Sequence, residues 1–234
     1  MIFPYKIIDL THTLDEQIPS WSGGCGVNIE VKLDYSDCRQ NEEFRVQQFK
    51  MHAGIGTNMD APAHCIPSST TIDQIPLSQL VAPCVVIDVS SSCHERYSLS
   101  LTDIEHFEEQ YGMINEGSFV MIKTGWEKFW SDPGKYSNNH VFPSISVEAA
   151  EILTKRGVCG LGIDTLSPDR PADGFPVHKL FLGNGKYIVE NVANLANLPI
   201  TGSCILALPI KVRGATEAPI RLIGLIKEET NLNF

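Results

Sequence analysis

This chain of 234 residues is short of the features that place a protein at a glance. It has no CxxC pair, and its seven cysteines (Cys25, Cys38, Cys65, Cys84, Cys93, Cys159 and Cys204) are odd in number and scattered. That argues against a disulfide framework and against a cysteine-rich zinc site. They read as reduced thiols, small and hydrophobic; Cys65 stands out because it follows His64. The chain has no run of Lys and Arg either. Eighteen basic residues against 28 acidic ones leave a formal net charge of -10, a poor surface for nucleic acid or an anionic membrane. No apolar run approaches the roughly 18–20 residues of a membrane span. The opening MIFPYKIIDL lacks the basic n-region of a signal peptide, so a cytoplasmic location is expected. No internal repeat, low-complexity segment or domain boundary stands out, and residues 1–234 read as one domain.

What is present suits a sizeable core, with 43% hydrophobic residues. Runs rich in β-branched residues and flanked by breakers predict strands over 6–12, 27–35, 84–90, 118–124, 160–165, 187–192 and 204–212. The run VNIEVKLDY (27–35) alternates cleanly, so one of its faces should meet solvent or a partner. Helices are fewer. SLTDIEHFEEQYG (100–112) opens on a cap residue and closes on glycine. SVEAAEILTKRG (146–157) has a Ser cap, an acidic first turn, a basic last turn and a glycine stop, and runs straight into strand GLGIDT. The expected fold is α/β (α+β), with a mixed or barrel-like β core and a few helices. The turn-rich segment 131–144 is a candidate lid.

The chemistry concentrates in two places. In HAGIGTNMDAPAHC (52–65), Pro62 forbids an ordinary helix interior. In an extended segment His52, Asn58, Asp60 and His64 share one face. A carboxylate with imidazoles suits a divalent ion such as Zn, Mn or Fe. The plain alternative is a loop aspartate capping a helix, beside a structural histidine. The second place, residues 162–192, holds Asp164, Asp169, His178 and Glu190. Glu190 sits inside the apolar strand YIVENV, where a carboxylate is costly unless paired or metal-bound. A strand end facing water is the alternative there.

The chain resembles the cyclase / kynurenine formamidase-like family of metal-dependent hydrolases, which includes isatin hydrolases. The family motif is HxGTHxDxPxH, and residues 54–64 here read GIGTNMDAPAH. The blocks IIDLTHTLDEQIP, TIDQIPLSQLVAPCVVIDVS, IKTGWEKFW, GIDTLSPD, FPVHKLFLGNGKYIVENVANL and LALPIKVRGATEAPIRLI resemble the family in the same order. The resemblance implies a swivelling β/β/α-type fold, a homodimer or larger homo-oligomer, and a site for one or two metal ions. It implies one ligand set made of Asp60, His64, His178 and Glu190, which is intact. The other set is broken, because Gly54 and Asn58 stand where the motif has histidines. His52 and Asn58 are candidate remnants of it.

The expected cofactor is therefore one divalent ion, Zn ahead of Mn, with an ion-free site as the alternative. The expected activity is metal-dependent hydrolysis of an amide, cyclic amide or lactone carbonyl in a small molecule. His64 or Glu190 would serve as general base, and Trp21, Phe129 and Trp130 are candidates to wall the substrate pocket. A cyclase, lyase or isomerase on the same scaffold, or a binding protein that has lost the chemistry, is the alternative.

Overall fold

The computed structural model describes residues 4–24, 26–39 and 42–228; Cys25 lies outside the described residues. In chain order the strands are β1 (Tyr5–Asp9), β2 (Val27–Leu33), β3 (Val46–Met51), β4 (Asn58–Asp60), β5 (Val81–Asp88), β6 (Ser98–Leu99), β7 (Phe119–Lys123), β8 (Ser144–Ile145), β9 (Gly160–Ile163), β10 (Tyr187–Glu190), β11 (Ser203–Pro209) and β12 (Glu217–Lys227). The helices are α1 (Leu77–Leu80), α2 (Leu101–Tyr111), α3 (Pro133–Ser137), α4 (Val147–Lys155) and α5 (Pro176–Gly183).

One sheet runs β1-β12-β11-β5-β7-β9-β10-β4, and β4 also pairs with β12. Seven strands therefore close on themselves, and β1 hangs on the outer side of β12. Strands β5, β7, β9 and β10 are parallel neighbours; the rest of the ring is antiparallel. This is the mixed, barrel-like core expected. Met59, Val189 and Ala218 point inward to a buried cluster with Leu10, Phe119, Tyr187 and Ile205. The other face of the parallel strands carries α2, α4 and α5 over a second buried cluster that includes Val120, Leu161, Phe181 and Ile188. Full burial of each such side chain contributes about 2 kcal/mol.

The expected helices form where their caps predict. Ser146 Oγ accepts from Ala149 N, and Gly157 stands in the left-handed region that stops α4. Ser100 caps α2 with Asp103 in a reciprocal box. All seven expected strands form, each within a few residues of its expected ends. Unforeseen are β3, β4, β6, β8 and β12 and the helices α1, α3 and α5.

The segment 131–144 is not a free lid. Tyr136 is fully buried, and its hydroxyl donates to Asn191 Oδ1 at 2.9 Å, with Asp164 O at 3.1 Å. Trp126 Nε1 donates to Tyr136 O at 2.8 Å. With its hydroxyl and its main-chain carbonyl both bonded, Tyr136 holds this segment on the barrel. No helix among the described residues is long and apolar enough to cross a membrane. The six described cysteines are free, and burial pushes the Cys65 thiol up, consistent with an inert small hydrophobe.

Candidate metal centre

The site is built on β4 and its two neighbours. Glu190 pairs with Asn58 across β10–β4, and Glu217 pairs with Asp60 across β12–β4. Directly opposed residues in antiparallel strands point to the same face, as do residues two apart on one strand. Asn58, Asp60, Glu190 and Glu217 therefore share the face opposite Met59, Val189 and Ala218.

Two histidines arrive on that face from other elements. Pro62 opens a short 3-10 turn, Pro62–His64, whose last residue returns His64 toward the strand. His178 lies in the first turn of α5, just after Pro176 at the helix start. Asp169 fixes that helix end. Its carboxylate accepts from Val177 N at 3.1 Å, His178 N at 2.9 Å and His178 Nδ1 at 2.8 Å. A proton held on Nδ1 leaves Nε2 to face the strands. There it lies 3.3 Å from Asp60 Oδ2 and 3.4 Å from Glu190 Oε1.

Asp60, His64 and His178 offer ligand atoms that all lie within 4.8 Å of one another. Asp60 is only 2% exposed, and its Oδ2 has no hydrogen-bond partner. Asn58 is fully buried; its Nδ2 donates to Gly56 O at 3.1 Å and its Oδ1 is likewise unpartnered. Burial, followed by the Asp60 charge, raises the Glu190 pKa above the usual carboxylate range. For His178, burial pulls the pKa down, but the hydrogen bond to the Asp169 carboxylate and the nearby Asp60 and Glu190 carboxylates outweigh it and carry it up to about 12. Clustered carboxylates and imidazoles with orphaned oxygens are a donor set that fits a divalent cation.

The other expected residues are placed as follows. His52 is exposed at the end of β3, its backbone N donates to Gly26 O, and its charge acts on Glu217. Extended geometry does not carry across 52–64: only Asn58 and Asp60 keep the strand spacing, and the turn at Pro62 delivers His64. Asp164 serves the fold, accepting from Thr124 Oγ1 and from the backbone of Thr124, Gly125 and Trp126. Phe129 packs with Trp126, and Trp130 stacks on His12 at 3.8 Å, both within aromatic packing beside the barrel. Trp21 is nearer the centre. Its ring is 5.9 Å from Phe175, whose ring is 5.8 Å from that of His178.

Two residues escape the sequence reading. Phe175 stands in the left-handed region at the start of α5 (φ 59), with its ring 5.8 Å from that of His178. Glu217 lies with Oε2 at 3.4 Å from His64 Nδ1. The signal for Glu217 is an acid directly before the apolar run APIRLIGLI.

Comparison with known proteins agrees with this architecture. Residues 8–170 match the family model described as putative cyclase. Isatin hydrolase of Roseibium aggregatum is 30% identical over 73% of this chain and 71% of its own. Kynurenine formamidase of Bacillus cytotoxicus is 26% identical over 92% of this chain and 95% of its own. Among solved structures, isatin hydrolase A from Labrenzia aggregata bound to benzyl benzoate superposes with a TM-score of 0.87. It has 29% identity, covering 96% of this chain and 95% of that one. A potential metal-dependent hydrolase with cyclase activity gives a TM-score of 0.76 at 26% identity, over 96% of this chain and 100% of the other. With the family model spanning most of the chain, and fold and sequence agreeing, this protein belongs to the putative cyclase family.

Proposed function

We propose that the protein is a metal-dependent hydrolase acting on an amide, cyclic amide or lactone carbonyl of a small metabolite. The observation that carries this is the buried Asp60 Oδ2, without a hydrogen bond, within 4.8 Å of ligand atoms on His64 and His178. Asp60, His64, His178 and Glu190 would hold one divalent ion. When bound, such an ion lowers the pKa of water and polarises a carbonyl oxygen.

The chain's own residues do the rest. Asp169 keeps the His178 proton on Nδ1, so that Nε2 is the donor. Where the ion takes only some of the four groups, one of two others is free to act as general base: Glu190, whose raised pKa suits proton exchange near neutrality, or His64, about one-third exposed. Trp21 and Phe175 form an aromatic wall on the His178 side, suited to a planar substrate. Kinship with isatin hydrolase and kynurenine formamidase supports this substrate class.

We also infer a homodimer through the β2–β3 hairpin. It is separate from the main sheet, and Val31, Val46, Phe49 and Met51 are all exposed on it. Such a two-stranded hairpin is marginal alone and gains from a partner.

The test is metal analysis of freshly purified protein, with hydrolysis of isatin and N-formylkynurenine followed by absorbance. About one ion per chain is expected, lost together with activity in Asp60→Ala. Full metal retention by that variant would show the ligand set to be wrong.

A further inference from the structure

The motif position of the first lost histidine, Gly54, is not empty space. A Cβ built there would lie 2.6 Å from Glu217 Oε2 and 3.0 Å from Glu217 Cδ. The volume that a side chain at 54 would enter is filled by a carboxylate from β12, a strand far away in sequence. That carboxylate is held on the site face by the register of Glu217 with Asp60, and it stands 3.4 Å from His64 Nδ1.

The charges on this face do not balance without a cation. Among the described residues no Lys or Arg forms an ion pair with Asp60, Glu190 or Glu217; their only ion-pair partners are His178 and His64. Three acids on adjacent strands repel one another at short range. Asp60 Oδ2 and Asn58 Oδ1, both buried on the same face, lack hydrogen-bond partners. Oxygen donors thus outnumber imidazoles around this point.

We propose that Glu217 is a ligand of the metal centre, supplying from β12 the donor that Gly54 cannot, and that it turns the site toward manganese. This rests on the metal-dependent reading above. Two imidazoles with three carboxylates suit an oxygen-preferring, six-coordinate ion such as Mn(II), whereas Zn favours a compact tetrahedral set richer in nitrogen. Glycine at 54 is then a requirement of the site, because any side chain there would displace the carboxylate.

The test is calorimetric titration of the intact protein with Mn(II) and with Zn(II), together with the Mn(II) electron paramagnetic resonance spectrum. Wild type is compared with Glu217→Ala, Glu217→Gln and the double variant Gly54→His with Glu217→Ala. Glu217→Ala should lose Mn(II) affinity by more than about 100-fold, beyond the roughly 10–100-fold typical of an outer partner. Its Zn(II) affinity should fall less. Glu217→Gln should alter the Mn(II) spectrum. The double variant should regain binding, now favouring Zn(II), since imidazole enters the same volume from the other side. A residue that only orients His64 would not be replaced in that way. If wild type binds Mn(II) and the Glu217 variants bind it equally well with an unchanged spectrum, Glu217 is not a ligand while the metal centre stands. If wild type binds neither ion, the metal centre and the proposal fall together.

Discussion

Asp169 illustrates how one residue can govern a centre it does not enter. Its carboxylate caps α5 and holds the Nδ1 proton of His178, so helix position and imidazole orientation depend on the same oxygens. Asp169→Asn should keep the fold, at a cost of about 1 kcal/mol from a weakened cap. It should weaken metal binding by roughly 10–100-fold, because an amide can present a donor to Nδ1 and turn the tautomer round. Denaturant unfolding and metal titration of the same preparation check the two parts separately. A second prediction concerns protons. Without an ion His178 is held protonated by its three carboxylates, with a pKa raised to about 12. An ion that takes Nε2 must displace that proton. Affinity should therefore rise by about one log unit per pH unit between pH 6 and 8, and fall as pH drops. Protonation of Glu190, whose pKa is also raised, adds to the loss on the acid side. Titration in two buffers of different ionisation enthalpy should report at least one proton released per ion. No release would remove His178 from the ligand set.

Among the elements, the short strand β4 matters out of proportion to its length. Its three residues, Asn58–Asp60, join β10 to β12 and close the barrel. Met59 faces the core while its two neighbours face the site, so packing and chemistry alternate along it. The β2–β3 hairpin is the opposite case, exposed and short of core. Phe49, on β3, is 60% exposed, and it pairs across the hairpin with Ile29. Phe49→Glu should convert the inferred dimer to a monomer in light scattering with little loss of stability in the single chain, since the side chain has no core to leave. A wild-type mass of 25.8 kDa at micromolar concentration would rule the dimer out.

At the scale of the whole molecule, barrel closure creates the centre. The proposed donors come from three regions of the chain: residues 58–64, the pair His178 and Glu190, and Glu217. They meet because β4 is gripped between β10 and β12, and because α5 starts beside them after the Asp169 turn. The site's ion should accordingly act as a tie between strands. Loading with metal is expected to stabilise the fold by about 2.7 kcal/mol at a hundredfold excess over Kd. A thermal shift that fails to grow with ion concentration would contradict that coupling.

Much of this was written locally. Period-two runs, Ser100 and Ser146 as caps, Gly112 and Gly157 as stops, and Glu190 in an apolar strand could all be read directly from the residues. The grouping of Asp60 and His64 with His178 was implied by the family resemblance. The interactions behind these signals lie within a few residues of each other, or repeat a pattern that short segments preserve. What only the tertiary structure decided depends on long-range register. Strands β3 and β12 and the helix α5 lacked a clear local signature. Tyr136 makes a candidate lid into a fixed wall through partners at Asp164 and Asn191. His52 sits exposed just past β3, whereas Glu217, more than 150 residues away from Asp60, stands opposite it because β12 and β4 pair in that register. No local propensity sets which carboxylate fills the space beside a glycine; the closure of the barrel does.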